Sequence, residues 1–215
     1  MAQPNPKIWL TRRRYRVPAL AVFFVLALLA HAYAYFLWDL RAACGLQMSL
    51  SPSGLRLMEI VSLAGNGWTP YLLTACAGAI FLLLRQPVTA LGLVLCAGGS
   101  GGVNALLKWL VGRPRPIAAQ CLQVTDHFGF LSFPSGHVTF YVCFFGFLWL
   151  LARERLPTGW PRRVLLMLLT LPVLLIGFSR VSLGAHWPSD TLGAYLWSGV
   201  WLGLIWELSD RYSRS

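Results

Sequence analysis

The sequence predicts an all-α membrane protein: a bundle of six transmembrane helices, with a short interfacial helix between the first and second spans. Three observations carry this. Of the 215 residues, 57% are hydrophobic and only 12% are charged, a balance that a soluble domain of this size cannot bury. Six stretches approach the roughly 20 apolar residues needed to cross hydrocarbon. The basic residues gather at the ends of those stretches instead of forming a stripe on a water-facing surface. The net charge of +11 therefore fits a bilayer partner and not nucleic acid.

The first span, residues 17–38, follows Arg12, Arg13, Arg14 and Arg16. A basic run before an apolar segment resembles a secretory signal, but the segment is too long for one and lacks a small-residue cleavage site. It reads as a retained anchor. The connection 39–67 contains Gly54–Leu63, which puts Arg56, Glu59 and Ser62 on one helical face. That pattern suits a helix lying in the interface, either as a lip that admits lipid or as a packed loop helix. Gly65-Asn66-Gly67 makes a turn.

The second and third spans cover 68–84 and 87–111, with Pro87 at a helix start. The glycine run Gly98–Gly102 inside the third permits close helix approach. It is not a phosphate loop, because no Gly-Lys-Ser/Thr follows it. The remaining spans cover 136–152, 163–178 and 190–207, with Pro161 at a helix start and Pro188 or Ser189 opening the last. One membrane domain, 17–207, thus lies between a cytoplasmic segment, 1–16, and a cytoplasmic tail, 208–215.

Orientation follows from the basic residues. With the N-terminus inside, 12 of the 18 Lys and Arg fall on the inner side. Four of the six outer ones lie in polar stretches that have another reason to be basic. Both termini are therefore expected in the cytoplasm, with the polar stretches facing outward. Five cysteines show no metal-binding spacing. Cys76, Cys96 and Cys143 lie in apolar spans as small core residues. Cys44 and Cys121 fall on the outer side, where a disulfide can form in an oxidising compartment, but no feature of the sequence brings the two together.

Chemistry resides in three polar stretches at span ends. In the first, Lys108 ends the third span, and Arg115 follows seven residues later, with Pro114 and Pro116 turning the chain over the site. Arg offers a planar fork to phosphate oxygens and Lys a point charge; alone, the pair reads equally as interfacial snorkelling. In the second, Pro134-Ser135-Gly136-His137 opens the fourth span. Helix N-terminal N–H groups attract anions, Ser135 adds a hydroxyl, and His137 supplies a proton near neutral pH. A lone helix cap with a surface histidine would look the same. The third, Ser179 to Asp190, is the most specific. Asp190 lies four residues after His186, so a helical turn brings the two together. A carboxylate holding one imidazole nitrogen frees the other as a nucleophile, and Arg180 is close enough in sequence to hold phosphate.

These stretches resemble the three-part signature of the type 2 phosphatidic acid phosphatase (PAP2) and vanadium haloperoxidase superfamily, in its bacterial integral-membrane lipid phosphatase branch. K-x6-R-P falls on Lys108, Arg115 and Pro116. P-S-G-H falls on Pro134 to His137. S-R-x5-H-x3-D falls on Ser179, Arg180, His186 and Asp190. The resemblance covers residues 108–190 directly, and through the six-span layout most of the chain.

It implies a bundle of the PAP2 type and a phosphatase acting on a membrane lipid: phosphatidic acid, phosphatidylglycerol phosphate, undecaprenyl diphosphate or the lipid A phosphates. It also implies a mechanism. His186 attacks phosphorus and becomes a phosphohistidine, Asp190 orients it, and His137 protonates the leaving group. Lys108, Arg115 and Arg180, with Ser135 and the Gly136 N–H, hold the phosphoryl oxygens. No metal or other cofactor is implied. Arg113 repeats the Arg-Pro dipeptide two residues early; the spacing gives the role to Arg115, and Arg113 could contact a headgroup. His127 with Asp126 reads as a solvated loop ahead of a headgroup contact, and His31 as a packed or hydrogen-bonded histidine outside the chemistry. The alternatives are a lipid phosphotransferase with a lipid diphosphate donor, a non-catalytic protein that binds anionic lipid, and a haloperoxidase, which the apolar spans disfavour.

Overall fold

The computed structural model describes residues 13–118 and 131–213. Among these, the regular structure is helical: α1 (Arg13–Ala32), α2 (Leu37–Ser49), α3 (Pro52–Ser62), α4 (Thr69–Leu83), α5 (Pro87–Leu93), α6 (Gly99–Val111), α7 (Gly136–Arg155), α8 (Trp160–Ser182) and α9 (Pro188–Ser213). A π-helical turn, Val94–Gly98, joins α5 to α6, so the third apolar stretch is one rod from Pro87 to Val111. His127, Asp126 and Cys121 lie outside the described residues.

Among the described residues, four helical stretches are long and apolar enough to cross a bilayer: Arg14–Ala32, Pro87–Val111, Gly136–Arg155 and Trp160–Ser182. Thr69–Leu83 is a shorter apolar helix. Leu28, Leu83, Trp109 and Met167 stand exposed on the outer faces. An apolar exterior of this extent is stable in lipid and not in water, so the chain is an integral membrane protein. α7 is the central helix, packed on α8 and α9. It buries Val138 to Phe144, Phe147 and Leu150 in a core shared with Leu93, Ile176, Leu202 and Trp206.

Proline and glycine set the helix ends much as the sequence indicates. Pro52, Pro70, Pro87 and Pro161 sit in first turns, where the missing N–H costs nothing. Gly112 ends α6 in the left-handed conformation at φ 68° and donates its N–H to the Lys108 carbonyl.

The expected end of the first span changes. The first helix stops at Ala32, and the chain breaks before starting α2 at Leu37. The apolar run through Trp38 hid the break; its signal was Asp39, which accepts the Phe36 N–H at 3.4 Å in the first turn of α2. The short helix expected at 54–63 is α3, on which Arg56 and Glu59 are exposed and Ser62 is buried. Cys44 is disulfide-bonded, while Cys76, Cys96 and Cys143 are free. His31 is exposed, not packed, and is hydrogen-bonded: its Nδ1 lies 2.9 Å from the Val111 carbonyl.

Candidate active site

The C-terminal ends of α6 and α8 and the N-terminal ends of α7 and α9 carry all three polar stretches, and the fold brings these ends together. After α6, Arg113 to Pro116 leaves the helix. Pro114 bridges antiparallel to Leu131, and Ser132 donates its N–H to the Arg113 carbonyl at 2.8 Å. The turn that the prolines predict is therefore present, and it folds Arg115 back over the site. Its guanidinium donates to the Ala185 carbonyl at 2.8 Å and lies 3.5 Å from His186 Nε2. Lys108 Nζ donates to the carbonyls of Leu131 and Ser132 at 2.9 and 3.0 Å.

His186 lies in the tight turn between α8 and α9. Gly184 makes that turn possible at φ 65°, and the N–H groups of Ala185 and His186 both donate to the Arg180 carbonyl. Nδ1 of His186 is 3.5 Å from Asp190 Oδ2 and 3.4 Å from the Ser132 hydroxyl. Ser132 makes a short hydrogen bond to the same carboxylate oxygen, which also accepts the Trp187 N–H at 2.9 Å. The i, i+4 pairing read from the sequence is thus present, in the turn that leads into α9. Ser132 is an added partner.

The imidazole of His186 is buried and faces Arg115, Lys108 and Arg180. Burial first, then these three cations, pushes its pKa well below the ordinary histidine range, against a weaker upward pull from Ser132. The ring is therefore neutral near pH 7. Its Nε2 faces the cations and its Nδ1 the carboxylate.

Arg180 donates to Ser62 Oγ at 2.8 Å, and Ser62 in turn contacts Ser179 at 3.1 Å. His137 Nε2 meets Asn66 Oδ1 at 2.7 Å. The glycine turn of the sequence thus also supports this histidine. Ser135 occupies the N-cap of α7, yet its hydroxyl makes no capping bond; it is buried without a hydrogen-bond partner among the described residues.

Arg113 does not reach a headgroup. Its side chain is fully buried in an ion pair with Asp190 at 2.7 Å and another with Asp39 at 2.8 Å. The reason is energetic: a guanidinium taken out of water needs carboxylates around it, and Arg113 sits between two. Sequence reasoning missed Asp39, Asn66, Ser62 and Ser132. Only Asp39 carried a signal, as an acid set within an apolar run.

Comparisons with known proteins bear on the fold and the family. Undecaprenyl-diphosphatase BcrC of Bacillus subtilis (strain 168) is 32% identical over 122 residues, 54% of this chain and 58% of BcrC. The chain therefore matches little more than half the length of that relative. The crystal structure of a transmembrane PAP2-type phosphatidylglycerolphosphate phosphatase from Bacillus subtilis superposes with a TM-score of 0.80 at 23% identity, over 92% of this chain and 96% of that one. Aquifex aeolicus LpxE superposes with a TM-score of 0.60 at 23% identity, over 82% of this chain and 97% of that one. Both structural likenesses show the fold. The PAP2 superfamily model matches residues 88–214, a span that includes all three polar stretches and more than half of the sequence, and the chain belongs to that superfamily.

Proposed function

We propose that the protein is a lipid phosphatase that hydrolyses a phosphomonoester or diphosphate of a membrane lipid through a phosphohistidine on His186. The observation that carries this is the two-sided setting of that imidazole. Nδ1 faces Asp190 and Ser132, which hold the ring and stabilise it when it becomes cationic. Nε2 faces Arg115, on the side where a phosphoryl group meets the cations. Lys108, Arg115 and Arg180 are the basic groups that act on His186, and such groups complement a phosphate anion.

In the first step the Nε2 lone pair attacks phosphorus and the bond to the leaving oxygen breaks. His137 gives its proton to that oxygen, an alkoxide for a monoester or a phosphate for a diphosphate. In the second step His137 takes a proton from water. The hydroxide attacks phosphorus, the P–N bond breaks, and His186 returns neutral. Lys108, Arg115 and Arg180 hold the non-bridging oxygens throughout, the main requirement of phosphoryl transfer. The unpartnered Ser135 hydroxyl and the Gly136 N–H at the start of α7 supply further donors.

In this reading, six helical stretches span the bilayer: α1, α4, the α5–α6 rod, α7, α8 and α9. They form one domain, 17–207, with α3 lying at the interface. Both termini are cytoplasmic and the site faces the outside of a bacterial inner membrane, as the basic residues favour. The names of the relatives point to isoprenyl diphosphates and phosphatidylglycerol phosphate as the first substrates to try.

The test is phosphate release by the purified protein from phosphatidic acid, phosphatidylglycerol phosphate, undecaprenyl diphosphate and lipid A, with His186→Ala in parallel. Release by the wild type alone supports the reading. Equal release by both proteins rejects His186 as nucleophile. Phosphate appearing on an added lipid acceptor, without free phosphate, identifies a transferase.

A further inference from the structure

Arg113 is the charged residue of the polar stretches that the proposed chemistry does not use, and Asp39 lies outside those stretches altogether. We propose that Arg113 and Asp39 are positioning residues: together they fix the Asp190 carboxylate so that Oδ2 is presented to His186, and they set the charge that His186 senses. This rests on the phosphohistidine reading of His186.

The geometry is that of a clamp. Arg113 Nη1 donates to Asp190 Oδ1 at 2.7 Å and Nη2 donates to Asp39 Oδ2 at 2.8 Å. Nε donates to the Ala34 carbonyl at 3.1 Å, and the Phe36 ring lies 4.8 Å from the guanidinium carbon. The fork is therefore fixed in the plane that serves both carboxylates.

Ser189 closes the arrangement from the other side. It accepts from Arg113 Nη1 at 2.6 Å, donates its hydroxyl to Asp39 Oδ2 at 2.6 Å, and donates its N–H to Asp39 Oδ1 at 2.8 Å. Ser189 directly precedes Asp190, so Asp39 holds the backbone that carries the orienting carboxylate. With Oδ1 taken by Arg113, Oδ2 is the oxygen left for Ser132, the Trp187 N–H and His186. A carboxylate engaged at both oxygens does not rotate away from the imidazole.

A buried ion pair can also be a plain fold staple, here tying α2 to α9. The two roles separate through charge. His186 is faced by Lys108 from α6, Arg115 from the following segment, His137 from α7, Arg180 from α8 and Asp190 from α9. Arg113 stands behind Asp190, and Asp39 of α2 behind Arg113. Removing the Arg113 cation favours imidazolium and moves the acid limb of kcat/KM upward. Removing the Asp39 anion moves it downward. A staple gives no such opposition.

The experiment measures kcat, KM and the pH profile of phosphate release for Asp39→Asn, Arg113→Gln and Arg113→Lys. Asp39→Asn is expected to lose about tenfold in kcat with KM within about twofold, and its acid limb to fall by about half a pH unit. Arg113→Gln should raise the limb. Arg113→Lys keeps the charge but spans one carboxylate, so it should lower kcat with the limb in place. If Arg113→Gln does not fold, the other two variants decide.

Wild-type kcat, KM and limb per folded Asp39→Asn molecule, with only a lower unfolding midpoint, would overturn the proposal. That result beside an inactive His186→Ala sinks this inference alone. An active His186→Ala rejects the phosphohistidine reading itself.

Discussion

Gly65 lies directly against the imidazole of His137: a β-carbon at position 65 would sit 2.9 Å from Cγ and 3.0 Å from Nε2 of that ring. The turn before α4 is therefore one wall of the site, and its neighbour Asn66 holds the same ring by its Nε2. Gly65→Ala is expected to push His137 out of line with the leaving oxygen. The cost should be about 10- to 100-fold in kcat, with little change in KM. Steady-state kinetics on the purified variant checks this, and a wild-type kcat would remove Gly65 and its turn from the account.

The electrostatics of His186 give a prediction about pH. Burial and the neighbouring cations depress its pKa, so the nucleophile stays neutral down to a pH below the ordinary histidine value of about 6.5. The acid limb of kcat/KM, which reports the free enzyme, should lie below that value. Arg115 disfavours imidazolium, so Arg115→Ala should raise the limb while lowering the rate. A limb that moves down in this variant would contradict the assignment.

How much of this was legible in the sequence depends on what each residue touches. His186 and Asp190 could be paired from spacing, because a single turn joins them. Arg115 could be placed over the site because Pro114 and Pro116 forbid the helix that would carry it away. Pro87 to Val111 was legible as one apolar rod, and its ends agree with the observed helical stretch. Ser132, Asn66 and Ser62 could not be found that way. Each reaches the site from another element, across 54, 71 and 118 residues of sequence, and each is an ordinary polar residue in a loop or helix end. Arg113 was visible but misassigned, because an arginine beside a membrane face reads as a surface cation until its two carboxylates are seen.

Ser132 carries a prediction of its own. Its hydroxyl serves Asp190 Oδ2 and lies near His186 Nδ1, and its side chain is fully buried. Ser132→Ala leaves a buried carboxylate oxygen with one donor fewer, which should cost about 1–3 kcal/mol of stability and lower kcat. Thermal unfolding in detergent and turnover of the folded fraction measure the two effects separately. An unchanged kcat would reduce Ser132 to a structural residue.

Packing behind the site is tested at Gly193, where an added β-carbon would run into the ring of Phe133. Phe133 stacks on Phe23 at 5.7 Å between ring centroids and is fully buried. It has little room to retreat. Gly193→Ala should destabilise by about 1–3 kcal/mol through overpacking. Adding Phe133→Leu should restore part of that, and additive losses in the unfolding midpoint would show that the two residues are not coupled.

In the proposed mechanism phosphate passes through His186. The most direct measurement is to mix the purified protein with a substrate lipid labelled in its transferable phosphate, quench in alkaline detergent within one turnover, and locate the label. The account predicts a base-stable, acid-labile label on the peptide containing His186, formed as fast as product and absent from His186→Ala. Turnover without any protein-bound label, or a label that persists in His186→Ala, would contradict it.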